Sequence, residues 1–127
     1  MRGPMQEASA TLMPRNYLHG CLLLLIAESP AHGYDLAERL SDLGLGNIDS
    51  AAVYRALRTL NRDGLLESWW EQSDAGPVRR RYRISAAGAD GLEEWATAVD
   101  DGASRLNAFL ARHRRLRQST LIVASQP

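Results

Sequence analysis

Residues 50–66, SAAVYRALRTLNRDGLL, set apolar side chains and arginines on opposite sides of one helix. At about 100° per residue, Val53, Leu57 and Leu60 fall together, while Arg55, Arg58 and Arg62 gather nearly opposite with Ala51 and Tyr54 on their flank. One face packs; the other is offered to something anionic. An ordinary surface helix whose arginines only keep it soluble shows the same pattern, so the flanking sequence has to decide. Asp49 or Ser50 is suited to cap the helix start, and Gly64 stands where a left-handed C-terminal cap is wanted. Upstream, HGYDLAERLSDLG (32–44) spaces Tyr34, Leu36, Ala37 and Leu40 as a second helix, stopped by Gly44 and Gly46. Helix, brief turn and basic helix make a helix-turn-helix outline.

Working outward, a leucine-rich helix is expected from about Arg15 to Ala27, bounded by Ser29-Pro30. Downstream, LLESWWEQ (65–72) and VRRRYRI (78–84) alternate with period two around the turn-rich SDAGP, which predicts a hairpin. A turn centred near Ala75 puts Leu66, Trp70, Tyr82 and Ile84 on one face. Glu67, Trp69, Glu71, Arg79, Arg81 and Arg83 then share the other. A hairpin directly after a helix-turn-helix is a wing. Cross-strand pairs with Glu67 and Glu71, worth about 0.2–1 kcal/mol each, account for two of its arginines. Arg80 and the turn-proximal Arg79 remain as candidate phosphate ligands, and Arg81 completes the wing's candidate set.

From Ser85 the spacing is helical again. Leu92, Trp95, Val99, Gly102 or Ala103, Leu106 and Phe109 follow a three-then-four step over nearly three heptads. So long a helix has little core of its own in a chain of 127 residues, which predicts that Leu92, Trp95, Val99, Leu106 and Phe109 pack against a second subunit. The expected organisation is a mobile arm over 1–14, a winged helix-turn-helix over 15–85, a dimerisation helix over 86–117 and a tail over 118–127. The fold class is mainly α with a small β-hairpin.

Composition narrows the function. With 45% hydrophobic and 24% charged residues the chain is a soluble globular type, and its longest apolar run, CLLLLIA (21–27), is far below the roughly 20 residues of a membrane helix. The flank ESPAHGYDL runs straight into helical patterning without a processing site, so a cytoplasmic protein is expected. The single cysteine, Cys21, cannot form an internal disulfide. Net charge is zero, yet the charges are segregated. Residues 50–83 carry seven arginines against four acids, 84–104 carry five acids and no arginine, and 105–127 carry five arginines and no acid. No Ser-His-Asp set, paired carboxylates or phosphate-cradling glycine loop is recognisable, which argues against an enzyme and against a cofactor. His19 and Cys21 are too few for a zinc site, so no metal is expected. Two rival readings use the same outline: a winged helix that meets an acidic protein instead of DNA, and a metal or redox sensor on a similar fold.

SPAHGYDLAERL, VYRALRTLNRDGLL and GPVRRRYRIS, in this order and spacing, resemble the PadR family of bacterial transcription regulators over roughly residues 16–100. The single helix after the wing is similar to the family's compact branch, which dimerises through that helix and the first one. The resemblance implies a homodimeric winged-helix repressor that binds palindromic double-stranded operator DNA and is released by a small-molecule effector. Tyr54 holds the place of a DNA-contacting tyrosine in the recognition helix. Arg55 follows where proline is frequent, Ala52 stands where threonine is frequent, and Arg81-Tyr82 replaces a frequent double tyrosine. The DNA-binding candidates are therefore Ser50, Ala51, Tyr54, Arg55, Arg58, Arg62, Arg79, Arg80 and Arg81. In drug-binding relatives an aromatic side chain on the last helix stacks on planar ligands. Trp95 sits in a similar position and, with Tyr17, Cys21 and Val99, forms the candidate effector set.

Overall fold

A computed structural model describes residues 16–46, 48–72 and 74–125, with side chains through residue 120. The arm expected over 1–14 lies outside the described residues. Helix α1, Tyr17–Glu28, follows Asn16 in the left-handed conformation, φ 58°. It stops where Pro30 holds Ser29 extended, φ −164° and ψ 132°. Its Gly20, Cys21, Leu22, Leu23, Leu25 and Ile26 are all buried, so α1 is enclosed on most sides and forms the centre of the core.

A two-residue strand, β1 (Ala31–His32), comes next, then α2 (Gly33–Arg39) and a 3₁₀ turn (Leu40–Leu43) closed by Gly44 at φ 80°. Helix α3 spans Ser50–Arg62. The Asp49 carboxylate accepts a hydrogen bond from the Ala51 N–H at 3.1 Å, a cap worth about 0.5–2 kcal/mol, and Gly64 takes the left-handed conformation beyond the other end. Val53, Ala56, Leu57 and Leu60 are buried as the apolar spacing requires. Strands β2 (Leu66–Glu71) and β3 (Arg79–Ile84) pair antiparallel from Leu66↔Ile84 to Glu71↔Arg79, a register centred on Ala75. Leu66 and Tyr82 face the core, whereas Trp70, on the same face, projects past its edge and is 64% exposed. Strand β1 pairs with β3 at Ala31↔Tyr82 and His32↔Arg81, so the expected hairpin is a three-stranded sheet in the order β1-β3-β2.

Helix α4 runs Ala86–Ser125, eight residues past the expected end at 117. No glycine or proline occurs between 103 and 125 to stop it. The chain forms two compact units, divided between Ala96 and Thr97. In the first, Ser85 caps α4: its hydroxyl accepts from the Gly88 N–H at 3.0 Å and donates to the Gly64 carbonyl at 2.6 Å. Gly88 lies so close to the Leu65 carbonyl that a Cβ there would overlap it. Leu92 and Trp95 pack on the core of their own chain, the Trp95 ring lying over Gly20. This corrects the expectation that the whole seam lacks an internal partner: the first three turns of α4 belong to the winged-helix core. In the second unit Val99, Leu106, Phe109, Leu110 and Leu116 are exposed, Phe109 to 69%, and Phe109 stacks on His113 at 6.5 Å.

Candidate nucleic-acid interface

Apart from Arg39 on α2, the described arginines of the first unit lie on two elements, α3 and β3. On α3, Ser50, Ala51, Tyr54, Arg55, Arg58 and Arg62 are exposed, on the side away from Val53, Leu57 and Leu60. Arg62 pairs with its neighbour Asp63 at 3.3 Å, while Arg55 and Arg58 make no side-chain ion pair or hydrogen bond among the described residues. The Tyr54 ring is seated against Gly33 at the start of α2, where a Cβ would stand 2.6 Å from Cε1. Glycine at 33 thus lets the tyrosine ring approach the preceding helix closely.

The arginines of β3 divide by the face they occupy. Arg83 donates to Glu67 at 2.7 Å and lies 5.5 Å from the centre of the Trp69 ring. Arg81 donates to both Glu71 oxygens, at 3.2 and 3.0 Å, and to the Pro30 carbonyl at 3.4 Å, while its Nε is buried without a partner among the described residues. Arg81 thus ties β3 to β2 through Glu71 and reaches the segment before β1 through Pro30, unlike the other wing arginines of the expected DNA-contacting set, Arg79 and Arg80. The third strand, β1, pairs with β3 at His32↔Arg81 and so borders the same arginine. His32 adds to the same junction, with Nδ1 3.5 Å from Asp35 and Nε2 3.9 Å from Glu71.

Arg80 points to the other face. Its Nε and Nη2 donate to the Ser68 hydroxyl at 3.0 and 2.8 Å, and it lies 5.4 Å from the centre of the exposed Trp70 ring. With the Asn61 amide turned to suit its neighbours, its oxygen accepts from Ser68 and Arg80 and its nitrogen donates to the Leu66 carbonyl, so the end of α3 and the wing share one network. Burial pushes the Tyr82 hydroxyl up; Arg80 opposes that, Tyr54 adds to it and Arg58 again opposes, which marks where wing and helix converge. The Arg79 side chain has no ion pair or hydrogen bond among the described residues. Asn61, Ser68 and Gly33 carry no signal of these roles in the sequence, because each acts through a neighbour distant along the chain.

Among the effector candidates, the Tyr17 hydroxyl donates to the Leu43 carbonyl at 3.2 Å. Cys21 is a buried free thiol, pushed up by burial and partly offset by the neighbouring Tyr17 hydroxyl. Trp95 lies against Gly20, the residue before Cys21, and Val99 is exposed in the second unit. No three His, Cys, Asp or Glu side chains cluster as metal ligands among the described residues, and no described helix is long and apolar enough to cross a membrane.

The model of the PadR-like family of transcriptional regulators matches residues 22–94. A conserved protein of unknown function, solved as a potential transcriptional factor, is 34% identical with a TM-score of 0.71, covering 84% of this chain and 98% of its own. A PadR-like transcriptional regulator from Bacillus cereus is 28% identical with a TM-score of 0.66, covering 73% and 90%. Bacillus subtilis PadR, solved in complex with operator DNA, shares the fold at 19% identity and a TM-score of 0.58, with 64% of this chain and 47% of that one aligned.

Proposed function

Because this chain belongs to the PadR-like family of transcriptional regulators, we propose that it is a repressor that binds palindromic operator DNA as a homodimer and is released by a small-molecule effector. The observation that carries the DNA reading is the outer face of α3, where Arg55 and Arg58 stand beside Tyr54 with no acidic partner among the described residues. In the major groove this face brings Ser50, Ala51, Tyr54, Arg55 and Arg58 to base edges and phosphates, with Arg62 at its end and the wing's Arg79 and Arg80 on the backbone. The operator complex of Bacillus subtilis PadR supports the same use of this fold. An acidic protein partner could also meet an arginine face. A mobility-shift assay on the DNA upstream of the chain's own gene, with competitor DNA present, separates the two: a retained complex supports the operator reading, and none at any protein concentration removes it.

The homodimer reading rests on the exposed apolar side chains of the second unit, Val99, Leu106 and Phe109, continued from Leu92 and Trp95 along the same helix. Apolar area of this extent is stabilised by burial at about 25 cal/mol per Å². Half-sites one turn, roughly 34 Å, apart fit a two-fold dimer, and an effector acting at Tyr17, Cys21 and Trp95 would shift the spacing of the two recognition helices. A planar aromatic effector stacked on Trp95 should quench its fluorescence. Sedimentation of Phe109→Glu as a monomer, and a Trp95→Ala dimer that holds operator at inducer concentrations that release the unmodified protein, are the expected results.

A further inference from the structure

Between the wing, the start of α2 and the outer face of α3 lies an open cleft of about 270 Å³, lined by His32, Gly33, Tyr34, Tyr54 and Tyr82 with Arg79 and Arg80. None of these residues is acidic. Arg79 stands opposite Glu71 in the strand register, yet the Glu71 carboxylate is taken by Arg81 and flanked by His32, so the Arg79 guanidinium keeps its positive charge uncompensated among the described residues. Tyr34 is 66% exposed, and neither its hydroxyl nor that of Tyr54 has a hydrogen-bond partner among the described residues. Arg80 is already bound to Ser68 and serves as a wall of fixed charge.

A small cleft that collects O–H and N–H donors around a free guanidinium, and offers no carboxylate, selects an anion with several acceptor oxygens. The space takes one phosphate group, not a base pair. It also shares Tyr54 with the face of α3 turned to the groove and Arg80 with the wing, so a duplex lying on both elements runs its backbone past the opening. We infer that this cleft seats one backbone phosphate of duplex DNA, held by the Arg79 guanidinium and the hydroxyls of Tyr34 and Tyr54. Gly33 is the positioning residue, since any side chain there displaces the Tyr54 ring from the cleft wall. The inference rests on the DNA reading above and adds Tyr34 and Gly33 to the residues that serve it.

Because a phosphate contact is independent of sequence, the test uses the full chain and a mixed-sequence duplex, followed by fluorescence anisotropy over a salt series. Tyr34→Phe, which removes only an oxygen, should weaken binding roughly threefold to tenfold. Arg79→Ala should lower the slope of log affinity against log salt by about one. Gly33→Ala should weaken binding in the unmodified background and much less in a Tyr54→Phe background. Circular dichroism melts matching the unmodified chain confirm that each variant is folded. Unchanged affinity and slope in Tyr34→Phe and Arg79→Ala, with Arg58→Ala still weakened, overturns the phosphate seat and leaves the DNA reading standing. No binding of any duplex by the unmodified chain overturns both. If inorganic phosphate shifts the NMR signals of Tyr34 and Tyr54 while the duplex results are unaffected by the variants, the cleft holds a free anion and the backbone assignment fails.

Discussion

Helix α3 and strand β3 each carry closely spaced arginines, but their side chains meet different surroundings. On α3, Arg55 and Arg58 have no acidic partner among the described residues; on β3, Arg81 and Arg83 are held by Glu71 and Glu67. Charge on a helix is neutralised chiefly by residues three or four positions away, and 50–62 contain no acid. An antiparallel strand sets every residue beside a second chain segment, and β2 supplies two glutamates within reach. Segment charge alone would rank the two elements alike. The topology makes one a free cationic face and the other partly a set of structural ties.

The sharpest way to break this contrast is to remove charge from α3. Arg58→Ala should cost about 1–3 kcal/mol of operator affinity in anisotropy titrations while the thermal melt stays in place, and Tyr54→Ala should behave alike. Unchanged affinity in both would take α3 out of the groove. Arg80→Ala comes next: it should weaken specific and non-specific duplexes together and lower the salt slope by about one. A loss confined to one operator sequence would make Arg80 a reader of bases. Arg81→Ala should leave DNA affinity alone and lower stability in urea by roughly 1 kcal/mol, since the Glu71 pair is only partly shielded from solvent. The smallest effect is expected for Arg83→Ala. Both partners of that pair are more than half exposed, so about 0.2–0.5 kcal/mol in the same urea experiment, with no change in DNA binding, is the expected reading. A DNA defect in Arg81→Ala or Arg83→Ala as large as that of Arg58→Ala would erase the distinction between the two elements.

What could be read from the chain alone was whatever depends on near neighbours. Asp49 as a cap, Gly64 in the left-handed conformation, the buried side of α3 and the hairpin register about Ala75 all follow from spacing within one or two elements. Strand β1 could not be read, because two residues carry no period and their strand character exists only through β3. Leu92 and Trp95 looked like part of a seam awaiting a partner because their spacing continues that of Val99 and Leu106. Only the return of α4 onto Gly20 and Leu65 separates them. The wing network through Asn61 and Ser68, and the need for glycine at 33, are contacts between distant segments with no local signature.

The meeting of Gly88 with Leu65 has a mechanical side. The Leu65 N–H donates to the Leu60 carbonyl at 2.9 Å, the Ser85 N–H donates to the Leu65 carbonyl at 3.1 Å, and the Ser85 hydroxyl reaches Gly64, so the end of α3, the root of the wing and the first turn of α4 are fastened at one knot of backbone. With Gly88 pressed on the same carbonyl there is no slack in that knot for a side chain to absorb. The first turn of α4 is thereby joined at one point to both the wing and α3, as a coupling joins two shafts, so a shift at that turn bears on both elements at once.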